Sequence, residues 1–364
     1  MDKRNSSLDF LRFCAVLLVM FRHLVITGNS AFDKVAGILS TGGWVGVDLF
    51  FVLSGFLVSG LIFKEYEKSG KFNAGRFLIR RGLKIYPAFY FFLLLTWGMT
   101  YLYHYASHES NMKYLYEALF ICNYVKLEPI HVWLWSICVE EHFYFLLCIL
   151  LILLIKYHKI SLKTFLVIYV TFFLLGLGLR TFNMFYYPYY DFFRDFARSH
   201  LRFDALFFGV LLNYMYRKNT VRSWKSSLLT IAAIAGVALA FLFSLDDVRY
   251  TRLDTAVLLA TNPLCFGYLM IRMLTLSARW MKPFAFVGKY SYPIYLFHGF
   301  INHLCLQHFS GWKYYIVYLL GALIIGIVVS KIIEYPVLAL RDRWFPSASA
   351  QDTFLTPAAQ AVAQ

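Results

Sequence analysis

The sequence predicts an all-α integral membrane protein: about ten spanning helices in one bundle, with both termini cytoplasmic. Three observations carry this. The 364 residues are 60% hydrophobic and 20% aromatic but only 15% charged, against roughly 25% charged residues in soluble domains. Mean hydropathy is +0.59. Apolar runs near the length that a bilayer demands, about 20 residues, recur at 8–27, 44–63, 83–103, 135–155, 163–180, 203–216, 227–244, 255–274, 290–308 and 314–335. Lys and Arg are also uneven: with the N-terminus inside, 22 fall in inner segments and 10 in outer ones, the asymmetry that marks the cytoplasmic side. These numbers exclude disorder and conventional soluble domains. They also make the net charge of +15 a matter of topology, so no nucleic-acid partner is expected.

The first run, with no A-x-A site after it, is a retained helix rather than a cleaved signal. It holds Asp9, Arg12, Arg22 and His23, and ionisable residues inside a span tend to face a bundle interior or a watery cavity. Arg12 and His23 are 11 residues apart, which puts them within roughly 20° of one face and about 16 Å apart along the axis. Either alone could snorkel to a membrane surface; the shared face favours function. Asp9, one turn earlier, can pair with Arg12, whereas Arg22 points elsewhere and reads as a snorkelling residue.

The second run, GGWVGVDLFFVLSGFLVSG, places Asp48 near its outer end, and Ser54, Gly55, Ser59 and Gly60 supply small residues for close helix packing. The inner stretch RFLIRRGLKIYP carries Arg76, Arg80, Arg81 and Lys84. Such a cluster can grip phosphates, or can serve topology and anionic lipid. In WLWSICVEEHFYF, Glu140 and Glu141 precede His142, and their separation of about 100° lets at most one face a given site. The sixth run is the shortest; Arg202 and Asp204 at its outer start are expected to pair. His298 falls near mid-membrane and Glu334 at the inner end of the last run. The outer stretch TFNMFYYPYYDFF suits an interfacial aromatic belt or a sugar-stacking platform. Nearby Arg194, Arg198 and Arg202 break the charge rule.

The six cysteines, at 14, 122, 138, 148, 265 and 305, show no C-x-x-C pair and read as small buried hydrophobes. No histidine spacing implies a metal site. Residues 346–364, low in complexity, are expected to form a disordered cytoplasmic tail.

Taken in order, SLDFLRFCAVLLVMFRH, GVDLFFVLSGFL, RRGLKIYP, WSICVEEHFY, HLRFDALFFG, YSYPIYLFH and IEYP resemble the acyltransferase-3 family of integral membrane O-acyltransferases. The resemblance implies a transmembrane acyltransferase domain over 1–345, in a bacterial cytoplasmic (inner) membrane. The family moves an acyl group from a cytoplasmic donor, commonly acetyl-CoA, to a hydroxyl of a surface or lipid-linked saccharide. Acetyl-CoA is then a substrate, and no permanently bound cofactor is expected. The family's Arg-x10-His motif falls on Arg12 and His23, and its basic motif on Arg80, Arg81 and Lys84, where Lys84 replaces the more usual arginine. The implied catalytic set is His23 as general base with Glu140 and Asp9. Arg12, Arg80, Arg81 and Lys84 would hold the donor, and Asp48, Glu141, Arg202, Asp204 and His298 the acceptor. Only about 20 residues follow the last run, so the hydrolase-like domain of some members is expected to be absent. The competing readings are a transporter or flippase for a lipid-linked saccharide, and an acyltransferase acting on a lipid or small alcohol.

Overall fold

The computed structural model describes residues 5–103, 111–187, 189–221, 223–243, 252–276 and 279–346. The expected tail from 347 onward, and Lys3, Arg4 and Arg222 of the charge asymmetry, lie outside the described residues. Regular structure among the described residues is entirely helical. The order is α1 (Ser6–Arg22), α2 (Ala31–Gly42), α3 (Val45–Ser69), α4 (Ala74–Tyr103), α5 (Asn111–Ala118), α6 (Trp135–Lys156) and α7 (Leu162–Tyr186). Then come α8 (Phe203–Arg217), α9 (Ser227–Phe243), α10 (Arg252–Leu274), α11 (Met281–Gly288), α12 (Ser291–His308), α13 (Gly311–Val329) and α14 (Tyr335–Trp344). A π-helical turn, Ser330–Glu334, joins the last two. Each of the ten expected runs falls on one of these helices. Among the described residues six helical stretches, Val45–Ser69, Ala74–Leu102, Val132–Lys156, Leu162–Tyr186, Ala256–Leu274 and Gly311–Trp344, are long and apolar enough to cross a membrane.

Three boundaries differ from the sequence expectation. Helix α1 stops at Arg22, five residues early, because α2 begins at a capping box: Ser30 Oγ accepts from Asp33 N at 3.3 Å and Asp33 Oδ2 accepts from Ser30 N at 2.8 Å. The S-x-x-D spacing that sets it is visible in the sequence. Hydrogen bonds from Ser30 and from Tyr315 (2.5 Å) hold the Asp33 carboxyl at about 2, below its ordinary 3.8. Helix α4 starts at Ala74, capped by Asn73, whose Oδ1 accepts from Arg76 N at 2.9 Å. The basic stretch is therefore the opening of a long helix rather than a loop. Helix α13 runs on through the π-helical turn into α14, beyond the expected end at 335.

The core is built on α3 against α8, the shortest expected run. Ten consecutive α8 residues, Asp204 to Asn213, are buried. A Cβ added to Gly55 would strike the Leu206 carbonyl oxygen, and one added to Gly209 would strike that of Val52. The two glycines thus let the backbones touch. Across the same contact, Arg202 donates to Asp48 Oδ1, and Asn262 Nδ2 donates to Asp48 Oδ2 at 3.4 Å. The expected Arg202–Asp204 pair does not form. Residues two apart on a helical turn face different neighbours, so Asp204 pairs instead with Arg180 of α7 at 2.8 Å. The Arg202 guanidinium also lies over the rings of Phe196, Phe51 and Trp135 at 4.7, 5.4 and 5.7 Å.

Removing one partner of such a pair leaves a bare charge between apolar helices. Arg202→Met is expected to lower stability by about 3–5 kcal/mol, with most of the loss recovered in Asp48→Asn/Arg202→Met. Thermal unfolding in detergent checks both; a single variant as stable as the parent would mean that the pair carries no such constraint.

Candidate active site

Helix α1 is held at both ends. At its start, Gly288 of α11 lies so close that a Cβ there would strike the Asp9 carbonyl oxygen. At its end, where carbonyls lack helical partners, side chains of α12 and α13 supply them. Asn302 Nδ2 donates to His23 O at 2.5 Å, Tyr314 OH to Asn302 Oδ1 at 2.6 Å, and Tyr318 OH to Met20 O at 3.0 Å. His23 caps the helix, and its ring meets those of His298 (centroids 4.8 Å) and Trp133 (6.1 Å). His298 is wholly buried; its Nδ1 bonds the Tyr295 carbonyl at 2.5 Å, and its Nε2 has no hydrogen-bond partner among the described residues. Donation from Nδ1–H leaves Nε2 as an acceptor beside His23.

Three cavities among the described residues adjoin these side chains. The largest of the three, about 950 Å³, is lined by His23, Arg22, Trp133, Arg194, Arg198 and a wall of aromatic rings. A narrow one of about 130 Å³ is lined by Arg12, Arg81, Lys84, Glu140, Lys289 and Ser291 among others. A third, of about 210 Å³, is edged by Lys64, Lys68, Arg76, Arg80 and Arg341. Tyr295 lines the first two, and Arg81 and Lys84 the last two. Tyr295 OH bonds Ser136 Oγ at 2.5 Å and donates to Trp133 O at 2.6 Å. The order is a basic cavity, a narrow charged one, a tyrosine, then the large His23 cavity.

The expected residues divide among these places. Asp9 pairs with Arg12 at 3.2 Å, and one face of α1 carries Arg12 into the narrow cavity and His23 into the large one. Glu140 lies in the narrow cavity, accepting from Tyr144 OH at 2.5 Å; it is not brought to His23, whose ring neighbours are His298 and Trp133. Glu141 turns away and accepts from Tyr86 OH at 3.0 Å. Arg81 stacks over Tyr144 and Phe77, at 5.4 and 5.9 Å. Arg80 donates to Asp342 Oδ1 at 2.9 Å and to the Phe345 carbonyl, and Lys84 pairs with Glu334. Asp48, Arg202 and Asp204 sit in the interhelical contacts described above and line none of the three cavities. His298 reaches the site through His23 rather than through a cavity wall. The aromatic stretch splits: Tyr190, Phe192 and Phe193 line the large cavity, joined there by Phe196, whereas Phe185, Tyr186 and Tyr189 are exposed.

Sequence reasoning missed Lys289, Tyr295 and Trp133. It also missed a fully buried Glu117–His131 pair, in which Glu117 accepts from both His131 N and Nδ1 at 2.8 Å, beneath Trp133 (rings 5.4 Å). Cys122 and Cys138, read as isolated, bring their sulfurs to 3.3 Å. Among the described residues no three His, Cys, Asp or Glu side chains gather as a metal set.

The Asn302 bond makes the position of His23 testable without any assay of activity. Asn302→Ala strips partners from the His23 carbonyl and Tyr314 hydroxyl, a local loss of about 1–3 kcal/mol. Hydrogen exchange of the amides at 23–26 should quicken while α6 stays protected; unchanged exchange would remove Asn302 as the anchor.

The acyltransferase domain family matches residues 5–335. The O-acetyltransferase OatA of Staphylococcus aureus (strain NCTC 8325 / PS 47) is 24% identical over 356 residues, covering 91% of this chain and 56% of that protein. The peptidoglycan O-acetyltransferase OatA of Listeria monocytogenes is 28% identical over 323 residues, covering 81% of this chain and 49% of that protein. The chain thus spans about half the length of these curated relatives. No solved structure matches it. From the residue before α1 to the first residue of α14, the chain belongs to the acyltransferase-3 family.

Proposed function

We propose that the protein is a membrane O-acetyltransferase. It takes acetyl from cytoplasmic acetyl-CoA and delivers it to a saccharide hydroxyl in the His23 cavity, with peptidoglycan, named for the Listeria relative, as the acceptor class. One observation carries this reading: a basic cavity, a narrow charged cavity and the His23 cavity follow one another, the last two sharing Tyr295. CoA is an elongated anion with a slim thioester arm, and it fits that order.

In this reading ten helices span a bacterial cytoplasmic membrane, with both termini and the Arg80 cavity on the cytoplasmic side. The acceptor hydroxyl gives its proton to His23 as its oxygen attacks the thioester carbonyl. The carbon–sulfur bond breaks, and the CoA thiolate leaves with the proton that His23 returns. His298 and Trp133 fix the imidazole, Asp9 orients Arg12, and Arg12 and Glu140 lie along the donor's path.

Purified protein with acetyl-CoA and a peptidoglycan fragment tests the chemistry. His23→Gln should fold, bind CoA and lose CoA release by about 10²-fold or more. Release at the parental rate would remove the imidazole as base. If the parental protein never consumes acetyl-CoA with a saccharide acceptor, transport of a lipid-linked saccharide becomes the better reading. Mass spectrometry of surface polymer with and without the gene then finds the acetylated position.

The orientation has its own test. Ser69→Cys, at the exposed α3–α4 turn, should be shielded from an impermeant thiol reagent in intact cells and should label once they are opened. Labelling in intact cells would reverse the assignment.

A further inference from the structure

Three arginines, Arg194, Arg198 and Arg202, break the charge asymmetry and so do not serve topology. Two of them are answered by a carboxylate, Arg194 by Asp195 at 2.7 Å and Arg202 by Asp48. Arg198 forms no salt bridge and no side-chain hydrogen bond among the described residues, yet it lines the large cavity with His23. Its Nε is buried without a partner, which leaves the two Nη groups for a ligand in the cavity. The other cations of the wall are placed differently. Arg22 Nη1 donates to Ser40 O at 3.1 Å, and Lys126 is exposed between α5 and α6. Of the carboxylates in the wall, Asp191 accepts from Arg194 N at 2.6 Å and Glu128 is exposed. Neither pairs with Arg198.

The chain around Arg198 is clamped. Arg198 bridges two short helical turns, Phe193–Ala197 and Ser199–Leu201, and its neighbours Ala197 and Ser199 are buried. Asn123 Nδ2 donates to Ala197 O at 3.1 Å and to Ser199 Oγ at 3.0 Å. Ser199 Oγ also bonds His142 Nδ1 at 2.7 Å, and Tyr124 OH bonds His200 Nδ1 at 2.9 Å. His142, the residue after the two glutamates of α6, thus helps to hold the turn that carries Arg198. A side chain on a fixed backbone loses less freedom when a ligand binds. The surroundings suit a sugar. Phe192, Phe196 and Trp135 line the same cavity with their rings 5.2–6.0 Å apart. Its volume of about 950 Å³ falls within the roughly 300–1,000 Å³ of small-molecule sites, where a few polar groups on an aromatic wall set orientation and specificity.

We propose that Arg198 binds a carboxylate of the acceptor saccharide and so selects acidic acceptors over neutral ones. The inference rests on the reading of the His23 cavity as the acceptor's place, and it adds the charge that the acceptor carries. A guanidinium offers a carboxylate two parallel N–H groups, which fixes the orientation of the saccharide as well as its affinity. Peptidoglycan, the acceptor class above, bears carboxylates on its peptide branches. An anionic lipid headgroup at the cavity mouth would offer the same charge, and the experiment separates the two sources.

The test uses the whole chain in neutral detergent, with acetyl-CoA and two acceptors: a peptidoglycan fragment with free carboxylates and the same fragment amidated. With the parent, KM should be lower for the acidic fragment by roughly tenfold or more. Arg198→Gln should bring the ratio of the two KM values near one, the change falling in KM rather than kcat. Arg198→Lys, which keeps the charge but loses the fork, should lie between. Equal KM values with the parent would overturn the inference. If phosphatidylglycerol micelles then bind the parent but not Arg198→Gln, the arginine belongs to a lipid headgroup. A loss in Arg198→Gln that is the same for both fragments would make Arg198 structural and overturn the inference as well. Binding of the two fragments without acetyl-CoA separates this inference from the reaction it rests on. If the acidic fragment binds through Arg198 and CoA is never released, acetyl transfer falls and the acidic ligand stands. If neither fragment binds, the inference falls.

Discussion

Charge buried among apolar helices is expensive, and the arrangement of this molecule follows from how each such charge is answered. Most are answered internally. Asp48 meets Arg202, Asp204 meets Arg180, Glu117 meets His131, and Glu334 meets Lys84. In each case the partners come from different elements, so the pairs also fix helix positions. Other groups, among the described residues, have no salt-bridge partner or leave a buried atom without a hydrogen bond. Arg81 and Lys289 face the narrow cavity, and the buried Nε2 of His298 lies beside His23 at the large one. The internal pairs act as frame.

Helix α1 converts that frame into a distance. Its pitch separates Arg12 from His23, and its two ends are fixed by unrelated means: a glycine-permitted backbone contact at Asp9 and a side-chain amide at the His23 carbonyl. A helix free to slide by one turn would move both residues by about 5.4 Å, enough to part the imidazole from any thioester that Arg12 had placed. Anchors at both ends exclude the slide. The packing around α1 is thus part of the chemistry assigned to it.

The part of the site legible in the sequence is the part set by helical periodicity. The shared face of Arg12 and His23, the Asp9–Arg12 pair, and the divergence of Glu140 from Glu141 all follow from about 100° per residue. Contacts between distant elements were not legible. Arg202 and Asp204 looked like partners because they are close in sequence, yet their true partners stand on α3 and α7. Glu140 and Glu141 could be told apart in direction but not in destination. Lys289 was counted only as a topological charge, since nothing in KYSYPIYLFH says that it shares a cavity wall with Arg12. Helix α2 was missed, although its S-x-x-D start was in plain view, because its short amphipathic run falls below the length of a span.

The cavity sizes weigh between transfer and transport. A saccharide that fits the His23 cavity of about 950 Å³ does not fit the next one, of about 130 Å³. Between them, Tyr295 is held by Ser136 and the Trp133 carbonyl, and Trp133 Nε1 donates to Leu296 O at 3.1 Å. Moving a saccharide through would require α6 and α12 to part along this whole line, exposing each of these polar groups, at a cost of about 1–3 kcal/mol apiece. An acetylated thioester arm is far slimmer than a saccharide, and Tyr295 is the one residue that lines both cavities. The narrow cavity obstructs a sugar more than a slim acyl chain, and this asymmetry favours an O-acetyltransferase over a carrier that moves its acceptor.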